Sequence, residues 1–157
     1  MMKNILENKL YIQDIERVIL NFDWTKLNNK SVLVTGGLGL IGSAIVDLFI
    51  IYNENHQANM EIYIADINES GFFARYDAYQ CVRYLPYDAT KPISFNVDVD
   101  YIIHGAGLAS PELYVIKPVE TMLSNFNGVL NLLEYARVNN VMRMLYISSS
   151  EVYGIKD

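Results

Sequence analysis

Cysteine is almost missing from this 157-residue chain. Cys81 stands alone, so no internal disulfide can form, and the usage fits a reducing cytosol. Histidine is nearly as scarce: His56 and His104 are far apart, and no His/Cys/Asp/Glu grouping has metal-ligand spacing. Positive charge is short too. Twelve Lys and Arg face eighteen Asp and Glu, a formal charge of −6, the wrong sign for a protein that displaces counterions from nucleic-acid phosphate. Long apolar runs are absent as well. Ile45 to Tyr52 is short and carries Asp47, well under the ~20 residues of a spanning helix. Met1 to Glu7 lacks the basic-then-apolar order of a secretory leader. The expectation is a cytoplasmic protein without membrane or nucleic-acid partners.

What is present describes a globular domain. Apolar residues make up 52% and charged residues 19%, which argues against disorder. The length suits one domain with a short appendage, and a chain of this size buries roughly 70% of its unfolded surface without a staple. Ile5 to Phe22 has apolar residues mostly at helical spacing. It reads as a leading amphipathic helix, packed on its own domain or, alternatively, offered to a partner. Residues 1–30 thus form a helix and loop ahead of a main domain over 31–157.

That domain alternates strands and helices. Ser31 to Thr35, Glu61 to Ala65, Val82 to Leu85, Asp100 to His104 and Met144 to Ile147 read as strands. Ile41 to Tyr52 and Pro118 to Asn139 read as helices, the second with Val119, Met122, Leu123, Phe126, Leu130, Leu133 and Ala136 on one face. Buried strands separated by helical segments predict an α/β fold, a doubly wound parallel sheet of the Rossmann kind with about five strands. Such a sheet normally continues beyond its fifth strand, so the expectation is the first part of something longer.

The sharpest signal is Thr35-Gly36-Gly37-Leu38-Gly39-Leu40-Ile41-Gly42, directly between a strand and a helix. Glycines at 36, 39 and 42 permit a tight turn, a close approach to pyrophosphate and close helix packing, while the helix start offers free N–H groups. The string also satisfies Gly37-x-Gly39-x-x-Gly42. At the end of the next strand, 24 residues beyond Gly42, stands Asp66. A carboxylate there can accept the ribose hydroxyls of adenosine and would repel a 2′-phosphate. Arg75 is the nearest arginine, so NAD is expected over NADP. As a solvated strand end, Asp66 would simply cap a helix. A nucleoside-triphosphatase loop is excluded, because Gly42 is followed by Ser43 and Ala44 without a lysine. His56 falls in a polar loop, and His104 closes a strand in a structural role.

Taken together, TGGLGLIGS, Asp66, Tyr87-Asp88, HGAGLAS, NFNGVLNLLEYAR and SSSEVYG resemble the extended short-chain dehydrogenase/reductase family of NAD-dependent nucleotide-sugar epimerases, dehydratases and decarboxylases. The match runs from about Ser31 to Gly154. Ala109-Ser110-Pro111-x-x-Tyr114 followed by Pro118-Val119-Glu120-Thr121 is most similar to UDP-glucuronate decarboxylases. The resemblance implies that Gly36, Gly39 and Gly42 cradle the pyrophosphate, with N–H groups from Leu40 and Ile41. It puts Asp66, Ile67 and Asn68 at the adenosine ribose, and Asp88 and Ala89 at the adenine edge. Ala106, Gly107 and Ala109 would pass beneath the cofactor, and Asn125 would brace the sheet end. Ser149 matches the catalytic Ser/Thr that bonds the sugar hydroxyl being oxidised, with Ser150 and Glu151 at the neighbouring reaction-dependent positions and Glu151 a candidate acid/base. Pro111 and Tyr114 fall at the substrate, Tyr114 towards its carboxylate. Ser148 to Ser150 would otherwise be a polar strand end, and Tyr114 an exposed loop aromatic. Family members often dimerise through a four-helix bundle, which implies a homodimer through the 118–139 helix.

One part of the family pattern is not in the chain. Its catalytic base is a tyrosine four residues before a lysine, on a helix after the SSSEVYG strand, where the lysine's charge favours tyrosinate. Tyr153 and Lys156 have the wrong spacing. Tyr87 and Lys91 have the right spacing in the wrong place, just after the third strand and before Pro92, and read as coincidence among twelve tyrosines. The chain is therefore expected to bind NAD as part of a nucleotide-sugar enzyme and to be inactive alone. The alternatives are a non-catalytic NAD-binding sensor or scaffold, and one half of a split enzyme.

Overall fold

A computed structural model describes residues 5–108 and 110–154. Helix α1 (Lys9–Leu20) starts later than the apolar pattern suggests, because the Asn8 side chain caps it by accepting from the Leu10 and Tyr11 amides at 3.0 and 3.4 Å. Ile5–Glu7 before it is a separate 3-10 turn. There follow β1 (Ser31–Thr35), α2 (Leu40–His56), β2 (Glu61–Asp66), α3 (Glu69–Tyr76), β3 (Val82–Pro86), β4 (Tyr101–His104), α4 (Pro111–Ile116), α5 (Pro118–Val138) and β5 (Arg143–Tyr146). Helices α3 and α4 are additions to the elements expected from the sequence. They are too short for a period to stand out, and α3 contains Gly71.

The five strands form one parallel sheet in the order β3-β2-β1-β4-β5. Alternation along the strands divides the core. Val32, Val34, Ile62 and Ile64 face one side, with Val46, Ile50, Phe72 and Tyr76 of α2 and α3; Leu33, Ala65 and Ile102 face the other, with Leu132 and Tyr135 of α5. Burying residues such as these contributes about 1.5–3 kcal/mol for each large aliphatic side chain. Helix α1 lies against α2 through Ile15 and Ile19, both buried, while Leu10 and Leu20 on its other faces stay exposed.

A buried carboxylate fastens the first side of the sheet. Asp47, fully enclosed on α2, accepts from the Tyr11 hydroxyl of α1 at 2.6 Å and the Tyr76 hydroxyl of α3 at 2.9 Å, and forms an ion pair with Arg75. Burial, and next to it the Asp47 hydrogen bond, pushes the Tyr11 phenol up to about 12, so it remains a donor at neutral pH.

Helix α5 is oriented against its apolar stripe. Its sheet-facing residues are Ser124, Gly128, Leu132 and Tyr135, whereas Val119, Met122, Phe126, Leu130 and Leu133 are exposed. At Gly128 the layers approach closely, a Cβ there lying 3.3 Å from the Ala89 Cβ, while Leu132 and Tyr135 pack against the sheet further along.

Candidate functional site

The strand order reverses between β1 and β4, and there, at the carboxyl ends of the strands, opens a cleft of about 360 Å³. Open α/β sheets place ligands at this switch point, and the volume falls within the usual range for small-molecule sites. Three turns line it: Gly36 to Gly39 after β1, Asp66 to Asn68 after β2, and Gly105 to Leu108 after β4. The segment Tyr87 to Thr90 after β3 and Ser124 of α5 complete the wall.

The first turn can only be built with glycine at two positions. Gly36 has φ +68°, and a Cβ there would sit 2.8 Å from the Ala106 nitrogen and the Gly105 carbonyl. A Cβ on Gly42 would come within 2.2 Å of the Gly36 oxygen. Helix α2 can therefore start directly above the turn, with Gly39 as its N-cap and no side-chain cap. The first-turn N–H groups, Leu40 and Ile41 among them, have no intrahelical partner and carry the positive end of the helix dipole. The Leu40 and Ile41 side chains point to solvent.

Asp66 joins two of the turns. Its Oδ2 accepts from the Leu38 amide at 3.0 Å and its Oδ1 from the Asn68 amide at 3.1 Å. A carboxylate oxygen has two acceptor sites, so each retains one for a hydroxyl donor. Arg75, the cation nearest in sequence, is held by Asp47, and no described residue lining the cleft is Lys or Arg. Asn68 lines the cleft, but its Oδ1 caps α3 by accepting from the Gly71 amide and the Ser70 hydroxyl at 3.0 and 3.1 Å. Asp88 is engaged likewise: Thr90 donates to it from both its amide and its hydroxyl, and these bonds hold its carboxyl below the usual carboxylate range.

The cleft thus gathers Gly36, Gly39, Asp66, Ile67, Asn68, Asp88, Ala89, Ala106 and Gly107 from the residues expected at a dinucleotide. Asn125 stands over Gly107, where a Cβ would meet its Oδ1 at 2.8 Å. Gly42 is beneath the turn. Pro111 and Tyr114 lie on α4, and Ser149 and Ser150 follow β5 at the same carboxyl edge; none of the four lines the cleft. Ala109 lies outside the described residues, as do the Glu151 side chain and Lys156. Leu38, Thr90, Gly105, Leu108 and Ser124 line the cleft without having been singled out. For Ser124 the signal was available, a small polar residue one place before Asn125 in the middle of a long helix.

Tyr87 and Lys91 do not act together. The Lys91 ammonium pairs with Asp88 at 3.2 Å. The Tyr87 ring packs on Phe95, its buried hydroxyl has no hydrogen-bond partner among the described residues, and burial pushes that phenol up to about 12. A base needs the opposite shift.

Residues 32–157 match the family described as NAD dependent epimerase/dehydratase. The chain belongs to that family. It is 37% identical over 130 residues to UDP-glucuronic acid decarboxylase 6 of Arabidopsis thaliana, covering 81% of this chain and 36% of the relative. Among solved structures it is similar to a UDP-N-acetylglucosamine 4-epimerase from Methanobrevibacter ruminantium M1 in complex with UDP-N-acetylmuramic acid, at 30% identity and a TM-score of 0.66, covering 81% of this chain and 40% of that one. It is also similar to a dTDP-glucose 4,6-dehydratase from Streptomyces venezuelae solved with NAD bound, at 25% identity and a TM-score of 0.67, covering 81% and 42%. The chain therefore spans little more than a third of the length of the decarboxylase it matches. The parallel sheet and its switch-point cleft are the Rossmann arrangement of these NAD-dependent enzymes.

Proposed function

We propose that this chain is the NAD-binding portion of a nucleotide-sugar enzyme, of the UDP-glucuronate decarboxylase kind. The observation that carries the reading is Asp66, which bridges the glycine turn and the β2 turn with one acceptor site left on each oxygen, in a cleft whose described lining residues include no Lys or Arg. Two such acceptors suit the vicinal hydroxyls of an adenosine ribose, and a 2′-phosphate would meet the carboxylate with no positive partner. The start of α2 faces the pyrophosphate, and Ala89 and the Asp88 backbone face the adenine.

The residues beyond the cleft would manage the sugar. When bound, nicotinamide supplies oxidation at the sugar's C4 and its reversal. Ser149 orients the hydroxyl that is oxidised, Glu151 exchanges a proton beside it, and Tyr114 meets the sugar's carboxylate. The Tyr-x-x-x-Lys pair that the family uses as base is not among these residues. The decarboxylase assignment rests on Ser110-Pro111-x-x-Tyr114 and on the identity to the decarboxylases. The exposed stripe Val119, Met122, Phe126, Leu130 and Leu133 on α5 supports a homodimer through that helix. Calorimetric titration with NAD and with NADP tests the cofactor reading. NAD binding with clear preference supports it, and equal or tighter NADP binding overturns it.

A further inference from the structure

Beneath the cleft lies a polar contact that the proposed chemistry leaves unused. Thr35 closes β1 and His104 closes β4; they are register partners, and both are fully buried. The Thr35 Oγ1 is 2.6 Å from the His104 Nδ1, and the same oxygen accepts from the Ala106 amide at 3.3 Å. The ladder bond from the Gly105 amide to the Thr35 carbonyl, at 3.0 Å, ends one residue earlier. Ala106 is thus held by the side-chain pair rather than by the sheet. Directly above, the Gly36 backbone presses on the Gly105–Ala106 peptide so closely that a Cβ would have no room. The two turns that floor the cleft touch each other, and the spacing between them is set by what lies below.

We propose that Thr35 and His104 form a positioning pair that registers the Gly105–Gly107 turn against the glycine turn of β1, and thereby shapes the floor on which the dinucleotide lies. The inference rests on the NAD reading above and extends it to two residues that do not line the cleft. Three features fit this role. The pair joins the two strands on either side of the switch point, where a ligand's position is most sensitive to strand-end spacing. The His104 ring stacks on Tyr146 of β5, with centroids 5.4 Å apart, and its Nε2 faces Gly128 of α5, where a Cβ would be 3.5 Å away. It is therefore fixed from both sides. Burial also pulls the ring's pKa down to about 4, so it is neutral at pH 7, and in either tautomer the contact between Oγ1 and Nδ1 stands.

The test uses four variants of this chain, Thr35→Val, Thr35→Ser, His104→Leu and His104→Asn. Calorimetry reads NAD affinity, thermal melting reads folding, and amide hydrogen exchange reads protection of Ala106. Thr35→Val and His104→Leu should weaken NAD about tenfold, the scale of one lost buried hydrogen bond. Thr35→Ser and His104→Asn, which keep a polar atom at the contact, should restore most of the loss. The Ala106 amide should exchange faster in Thr35→Val than in Thr35→Ser. Wild-type affinity and unchanged Ala106 protection in Thr35→Val would overturn the proposal alone. Loss of the melting transition in both Thr35→Val and His104→Leu would also overturn it, making the pair a determinant of folding rather than of position. A wild-type chain that folds yet binds no NAD would remove the cofactor reading, and the proposal with it.

Discussion

Replacing Asp66 with alanine separates the two functions of its carboxylate. In the free protein each oxygen accepts one backbone amide, from Leu38 and from Asn68. Asp66 is half-buried, so water can reach those amides after the change, and the turn should survive. The bound state loses more. Two ribose hydroxyls would forfeit acceptors on a charged group, and hydrogen bonds to charged groups are worth about 1.5–3 kcal/mol each before water takes part of the place. A net loss of about 1–3 kcal/mol follows, or roughly 5- to 150-fold in Kd. Removing the negative charge also removes its repulsion of a 2′-phosphate, so the preference for NAD over NADP should shrink as NAD affinity falls. Calorimetric titration of the wild type and Asp66→Ala with both dinucleotides measures the two effects. Unchanged NAD affinity in a folded variant would refute the assignment of the ribose to this carboxylate.

Three more outcomes follow from the packing. Gly42→Ala drives a Cβ towards the Gly36 carbonyl oxygen and should cost at least the ~1–3 kcal/mol of an overpacked site, read as a lower Tm together with lost NAD binding. Asp47→Ala removes the buried acceptor shared by Tyr11, Arg75 and Tyr76 and unties α1 and α3 from α2. Urea denaturation should show a loss of about 3 kcal/mol, with the m-value unchanged. The His104 ring has a folded pKa of about 4 against an ordinary 6.5, so between these values the unfolded chain binds the extra proton and stability falls as pH falls. The ring's share is about 3 kcal/mol at most across that window, and His104→Asn should lose that component when stability is compared at pH 4 and pH 7.

The parts of the fold that were legible are those where local chemistry and tertiary role agree. β1, β2 and β4 are short β-branched or aromatic runs that each end at glycine or aspartate, and the turn over 36–42 stands between strand and helix as its spacing requires. Asp66 was legible because the glycine turn fixes where the next strand must end. Asp47 was not. In the sequence it interrupts an apolar run, and its partners Tyr11, Arg75 and Tyr76 lie 28 to 36 residues away. Nothing local distinguishes such a hub from a surface aspartate. The α5 stripe showed that the segment is a helix but not which residues meet the sheet: those are Ser124, Gly128, Leu132 and Tyr135, two of them small or polar, and no apolar period marks them. Asn68 and Asp88 line the cleft, but their side-chain oxygens are engaged by the next turn, an Asx habit that a contact role assigned from a motif does not reveal.

The most direct test of the account is to map NAD onto the chain by amide chemical-shift perturbation. The account predicts the largest shifts at Gly36 to Gly42, Asp66 to Asn68, Asp88 to Ala89 and Ala106 to Gly107, with α1 and the outer face of α5 unmoved. Saturable shifts concentrated anywhere other than the switch-point cleft, or none in a folded chain, would contradict it.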